Sequence, residues 1–177
     1  ATVDIIRRYL SDRRVRLYIN EVNLGDYRNR NNAASYARGT YLKYVDSDDI
    51  IYPHGLAVMV DSMRQFPEAG LGLSSLIADR TPYPLQLTSE EAYSEHFLGN
   101  GLFANAPLST IIHRRAFEDV GGFSGLRYAG DNEMWLKISA RYRVVKMVPG
   151  LTWWRSHGDQ EVVSGVKSLA YPKLLFQ

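Results

Sequence analysis

Three carboxylates stand within four residues at Asp46-Ser47-Asp48-Asp49. Like charges that close repel and raise one another's pKa, so a folded chain sets such a cluster in open solvent or against a cation. The run Tyr41 to Val45 before it is short, aromatic and β-branched, which reads as a strand. That strand delivers the cluster at its carboxyl end, and open α/β sheets bind ligands just beyond such ends. A strand, an Asp-x-Asp-Asp loop and then Pro53 therefore suggest a divalent-cation and phosphate site. The plainer alternative is a solvated turn, which Asp and Ser favour unaided.

The rest of the chain must position that cluster. Its 177 residues suffice for one domain with a sizeable core, and 45% hydrophobic with 23% charged residues is an ordinary globular balance. A net charge of +2 gives no global field for nucleic acid. The basic residues gather locally instead, at Arg7, Arg8, Arg13, Arg14, Arg16, Arg28, Arg30 and Arg38, where most read as solvated helix faces. Cysteine is absent, which excludes disulfides, thiolate catalysis and Cys-ligated zinc. No apolar run approaches the roughly 18 residues that span a bilayer, and no signal peptide is visible. The expectation is a cytoplasmic protein, with a peripheral seat at the cytoplasmic face of a membrane left open.

Apolar periodicity predicts the elements. Val3 to Leu10 has helical spacing and Val15 to Ile19 alternates like a strand. Tyr27 to Arg38 reads as a helix with an Ala33, Ala34, Ala37 face, stopped by Gly39 as a C-terminal cap. Leu56 to Phe66 is a second amphipathic helix and Leu71 to Ile77 a strand. Strand and helix in this alternation predict βαβ units and a mostly parallel sheet. Asp79 to Leu87, with Pro82 and Pro84, reads as a loop. Thr88-Ser89-Glu90-Glu91 opens a helix to Phe97 with a capping-box signature. Gly99 to Pro107 is irregular. Leu108 to His113 is a strand, Arg115 to Val120 a short helix, and Gly121-Gly122 a tight turn needing positive φ. Asp131 to Tyr142 is helical, Arg143 to Met147 and Leu151 to Arg155 are strands, and Gly158 onward is polar. Residues 1–177 read as a single domain.

Three stretches in this order carry a resemblance. The first runs from Asn23-Leu24-Gly25-Asp26-Tyr27-Arg28-Asn29-Arg30-Asn31 through Gly39-Thr40-Tyr41 to Asp46-Ser47-Asp48-Asp49. The second runs from Arg114 through Gly121-Gly122-Phe123 to Gly130-Asp131-Asn132-Glu133-Met134-Trp135. The third is Trp154-Arg155-Ser156-His157. Together they resemble family 2 glycosyltransferases of the GT-A fold, over nearly the whole chain. The likeness implies an α/β, Rossmann-like sheet flanked by helices. It also implies a domain entered partway, because the family's opening strand, helix and second strand, ending in Asp-Asp-Gly-Ser, have no counterpart here.

The resemblance implies a metal-dependent inverting transfer of a sugar from a nucleotide diphosphate to an acceptor hydroxyl. Asp46 would face the ribose or the metal's water shell, and Asp48 would ligate Mn²⁺ or Mg²⁺, cations suited to hard oxygen ligands. Asp49 would anchor the following turn. His157 would complete the metal site, and Arg30 would contact the nucleotide's base or phosphates. Asp131 would be the catalytic base, an inverting displacement needing a carboxylate to take the acceptor's proton. Its alternative role is a helix N-cap. Where the family carries an acid before that Asp, Gly130 stands instead. His54, His96 and His113 have no motif context and read as structural. Trp153, Trp154 and Tyr128 read as core before sugar platforms, and Asn100, Asn105 and Arg80 fall where acceptors bind. The implied partners are a nucleotide-sugar donor, with a UDP-sugar foremost, and a carbohydrate or lipid-linked acceptor, without nucleic acid.

Two other readings stay open on the residues alone. A nucleotidyltransferase also uses an α/β sheet and an acid-bound metal, but needs a Gly-rich, basic phosphate loop that is not visible. A non-catalytic module of the same fold would bind sugars or a partner without turning over a nucleotide sugar.

Overall fold

The computed structural model describes residues 2–74 and 82–158. A five-stranded sheet has the order β1-β5-β3-β6-β4. Its strands are β1 (Tyr41–Leu42), β3 (Ala69–Ser74), β4 (Leu85–Leu87), β5 (Thr110–His113) and β6 (Arg143–Met147). The helices are α1 (Thr2–Arg7), α2 (Asp26–Ser35), α3 (Gly55–Gln65), α4 (Ser89–Phe97), α5 (Arg114–Asp119) and α6 (Gly130–Ser139). A separate ribbon pairs β2 (Ile50–Ile51) with β7 (Thr152–Trp153).

Strand residues alternate between faces, and the core divides accordingly. Ile112 and Val144 join Phe103, Phe117, Met134, Trp135 and Ile138 on the side covered by α4, α5 and α6. Ile111 and Val145 join Met59, Met63 and Met147 on the side covered by α3. Gly72 permits the closeness of α3, since a Cβ there would lie 2.8 Å from Met63 Sδ and 2.3 Å from Met147 Cε. The result is a helix-flanked α/β sheet, as the sequence implies.

The pairing is mixed rather than mostly parallel among the described strands. Only β3 and β6 run parallel; β1–β5, β3–β5 and β4–β6 are antiparallel. Strand and helix alternation states where strands fall, not the direction in which each returns. Val15 to Ile19 forms no ladder, because an alternating pattern creates no strand without a neighbouring edge to pair with. Leu85–Leu87 does form one, on the edge beside β6, where prolines just before a strand are tolerated. Helix α2 ends at Ser35 with Tyr36 as its C-cap, three residues before Gly39, and the Tyr36 ring stacks on Tyr18 with centroids 3.8 Å apart. Thr88 makes the expected capping box with Glu91, and Gly121 and Gly122 take the expected positive φ, at 79° and 69°. The strands at Tyr41 and Leu151 are shorter than their sequence patterns, at two residues each. The polar segment from Gly158 onward and Arg80 lie outside the described residues, apart from Gly158 itself.

Candidate active site

Helix α2 organises the site with polar residues on the face a surface helix normally gives to apolar ones. Its only buried residue is Arg30. Tyr27, Arg30 and Asn31 share a face by their i, i+3, i+4 spacing, and each reaches a different motif. The Arg30 guanidinium bonds Asp26 through Nε at 2.7 Å and Asp46 through Nη2 at 2.9 Å. It also lies 5.4 Å from the Tyr44 ring centroid, while the Tyr44 hydroxyl donates to the Arg30 carbonyl at 3.2 Å. Burial alone would weaken the guanidinium's charge, but the bonds to Asp46 and Asp26 raise its pKa further and keep it a cation. Asn31 pairs with the Phe123 backbone in both directions, at 2.8 and 3.0 Å. The Tyr27 hydroxyl accepts the backbone N–H of Asp131 at 3.2 Å.

The acid loop is held from its other side by the third motif. The β2–β7 ladder pairs Ile50 with Trp153 and Ile51 with Thr152. Asp49 Oδ1 accepts the Arg155 backbone N–H at 3.1 Å, and burial pushes the Asp49 carboxyl above its usual range. Asp49 thus clamps the distant segment, and its own N–H closes the loop onto the Asp46 carbonyl at 3.1 Å. His157 Nε2 meets Asp48 Oδ2 at 2.7 Å, a bond that holds the Asp48 carboxyl below its usual range. Among the described residues no three His, Cys, Asp or Glu side chains converge on one point. The Asp48 carboxylate still fits a hard divalent cation, because Mg²⁺-type sites use one or two carboxylates and fill the remainder with phosphate oxygens and water; the softer His157 imidazole suits Mn²⁺ better than Mg²⁺.

Asp131 lies in the first turn of α6, and Ala129, not Asp131, is the N-cap. Burial raises the Asp131 carboxyl pKa, an effect that the Asn132 N–H bonding its Oδ1 at 2.8 Å only partly offsets. A carboxylate tuned upward is a better general base near neutrality. Gly130 has a steric reason: a Cβ there would lie 2.7 Å from the Tyr27 ring. Just before it, Tyr128 is the one non-glycine residue with positive φ among the described residues, at 70°, a conformation that costs energy for a side chain of its size.

A cleft of about 830 Å³ opens at the start of α2, lined by Asn23, Gly25, Asp26, Tyr27, Gly125 and Arg127 among others. Gly25, at φ 74° and ψ −179°, takes an extended positive-φ conformation open essentially to glycine alone as the helix starts, and its N–H is held by Asn23 Oδ1 at 2.9 Å. The size suits a small organic ligand. Beneath the acid loop, Lys43 donates to the carbonyls of Tyr44, Pro107 and Leu108. Burial lowers its pKa to about 8, against the pull of Asp46 and Asp49.

The structure thus joins Arg30 with Asp46, and Asp48 with His157, while α2 links the Arg30–Asp46 pair to Asp131 through Tyr27. Trp153 and Trp154 are half-exposed rather than core. His96 accepts the Phe103 N–H through Nδ1, His113 packs edge-on to Tyr41, and His54 stacks on Tyr52. Asn105 is buried, and its Oδ1 has no hydrogen-bond partner among the described residues; Asn100 is exposed. Sequence reasoning missed Asp26, Tyr27 and Lys43. Asp26 had a signal, an acid four residues ahead of an arginine in a helix. Tyr27 and Lys43 had none short of the fold.

The sequence model of the family described as Glycosyl transferase family 2 matches residues 1–121. The fold is similar to that of the S. aureus protein TarS. Residues 1–349 of TarS in complex with UDP-GlcNAc align with a TM-score of 0.69 at 19% identity, over 92% of this chain and 48% of that one. The same TarS fragment without that ligand in its description aligns at 0.68 and 18% identity, over 88% and 47%. A further TarS structure aligns at 0.65 and 18% identity, over 96% and 31%. The chain therefore spans about half the length of these structures or less. A search of curated proteins finds no match.

Proposed function

This chain belongs to glycosyl transferase family 2, and on that premise we propose that it carries the acid loop and base of an enzyme that moves a sugar from a nucleotide diphosphate to an acceptor hydroxyl. The observation that carries the reading is the single face of α2. Tyr27, Arg30 and Asn31 tie Asp131, Asp46 and Phe123 to one helix. A general base and a diphosphate anchor need such mutual fixing, because the acceptor must be aligned opposite the leaving phosphate.

In the reaction the acceptor oxygen bonds to the anomeric carbon as the bond from that carbon to the phosphate oxygen breaks. The electron pair leaves with the nucleoside diphosphate, and the acceptor's proton passes to Asp131. Attack from the face opposite the leaving group inverts the anomeric centre. Arg30 holds Asp46 in register beside the donor site. Asp48 and His157 are the residues that would hold Mn²⁺ or Mg²⁺, which when bound neutralises charge growing on the leaving diphosphate. A UDP-sugar is the favoured donor, since the similar TarS was crystallised with UDP-GlcNAc. The acceptor is a carbohydrate or lipid-linked hydroxyl compound. No helix among the described residues is long and apolar enough to cross a membrane.

The test is calorimetric. UDP and Mn²⁺ are titrated together into the full-length protein and into Asp48→Ala. Binding of UDP that strengthens with Mn²⁺, and loses that strengthening in Asp48→Ala, supports the site. Equal Mn²⁺ dependence in both proteins removes Asp48 from it.

A further inference from the structure

Tyr27 stands where three parts of the site meet. Its ring packs on Phe123 with centroids 5.1 Å apart and covers Gly130 so closely that a Cβ there would clash at 2.7 Å. Its hydroxyl takes the Asp131 backbone N–H, and the same residue lines the cleft at the start of α2. A hydroxyl that accepts one bond keeps its own hydrogen to donate. Burial and the neighbouring Asp131 charge push its pKa well above that of a free phenol, so the hydrogen is retained.

We propose that Tyr27 is a positioning residue for Asp131: it takes the Asp131 backbone N–H, fills the space over Gly130, and so fixes the first turn of α6 against α2 while shielding the carboxyl from water. The proposal rests on Asp131 being the base. The Asp131 N–H belongs to the first turn of a helix, where backbone donors have no intrahelical partner, and Ala129 at the N-cap supplies no side-chain bond. Tyr27 supplies the bond that a capping side chain would otherwise make. The absence of a side chain at position 130 then has a use, since any larger residue would drive the ring away. The other charged groups facing Asp131 are Asp26 and Arg30 of α2, while Glu133 of its own helix is bonded to the Ser124 hydroxyl.

The experiment compares Tyr27→Phe, Tyr27→Ala and Asp131→Asn in the full-length protein, reading kcat, donor KM and the pH profile of kcat per folded molecule. Tyr27→Phe keeps the ring and loses the bond, so kcat falls about tenfold with donor KM unchanged within about twofold. Tyr27→Ala also uncovers the carboxyl, so the acid limb of the profile moves to lower pH as hydration returns Asp131 toward an ordinary carboxylate. A merely structural role lowers the melting temperature and leaves kcat and the acid limb in place, which overturns the proposal. Should Tyr27→Ala fail to fold, Gly130→Ala replaces it: displacement of the ring gives a comparable kcat loss, and wild-type kcat overturns the proposal. Asp131→Asn separates the two claims. If it turns over normally, the base reading fails. If it is inactive while both Tyr27 variants behave as wild type, only the role of Tyr27 fails.

Discussion

Replacing Arg30 with Met removes the charge that joins α2 to the acid loop while keeping much of the side chain's volume. The Arg30 side chain is 11% exposed, between carboxylates whose side chains are 36% and 46% exposed. Stripping one partner from a fully buried ion pair costs about 3–5 kcal/mol, because the other charge is left unpaired. Here water reaches both carboxylates, so that figure drops to about 2 kcal/mol. Loss of the cation over the Tyr44 ring adds about 0.5–1 kcal/mol. At about 2–4 °C per kcal/mol for a chain of this size, the melting temperature falls by about 5–12 °C. Urea and thermal melts of wild type, Arg30→Met, Asp46→Asn and the double variant measure it. The double-mutant cycle isolates the Arg30–Asp46 bond and returns a coupling of about 1 kcal/mol or more. Arg30→Lys keeps a charge but not the fork that reaches both acids, so it recovers only part of the loss. A stability within about 0.5 kcal/mol of wild type for Arg30→Met would mean that Arg30 does not hold α2 to the acid loop.

Three further outcomes follow from the geometry. Asp131→Asn loses about 10²- to 10⁴-fold in kcat yet is at least as stable as wild type at pH 7. Its folded pKa lies above the ordinary value, so the native state holds its proton longer than the unfolded chain, and the group costs stability once pH rises past about 4; thermal melts from pH 3 to 8 check the sign, and a destabilised variant at pH 7 contradicts it. Gly55→Ala sets a Cβ 2.2 Å from the Leu151 carbonyl oxygen, which overpacks the joint under β7 and costs about 1–3 kcal/mol with weaker Mn²⁺ binding; an unchanged melt and affinity contradict it. Asp48→Ala abolishes the Mn²⁺ dependence of UDP binding while retaining the fold, because water reaches both Asp48 and His157, each more than a third exposed, and their bond contributes little to stability.

Local signals reached as far as local physics does. The capping box at Thr88, the Gly121-Gly122 turn and strand β6 follow from near neighbours in sequence, and each formed as read. Pairing is non-local, which is why Val15 to Ile19 alternates without joining a sheet, and why Leu85–Leu87 pairs despite the prolines before it. The acid loop was legible as a cluster of like charges. Its neutralisation by Arg30 was not, because an arginine buried in a helix of low apolar content gives no sequence signal separate from a solvated one. Gly130 looked like a missing acid; only the Tyr27 ring against it shows what the glycine accommodates.

The most direct measurement follows the anomeric centre. The full-length protein is given UDP-sugars with Mn²⁺, with water as the default acceptor, and the released sugar is observed by proton NMR before mutarotation. Free UDP and a sugar of inverted anomeric configuration are expected from wild type and not from Asp131→Asn. Retained configuration, release of pyrophosphate from a nucleoside triphosphate instead, or equal turnover by Asp131→Asn would contradict an inverting sugar transfer with Asp131 as base.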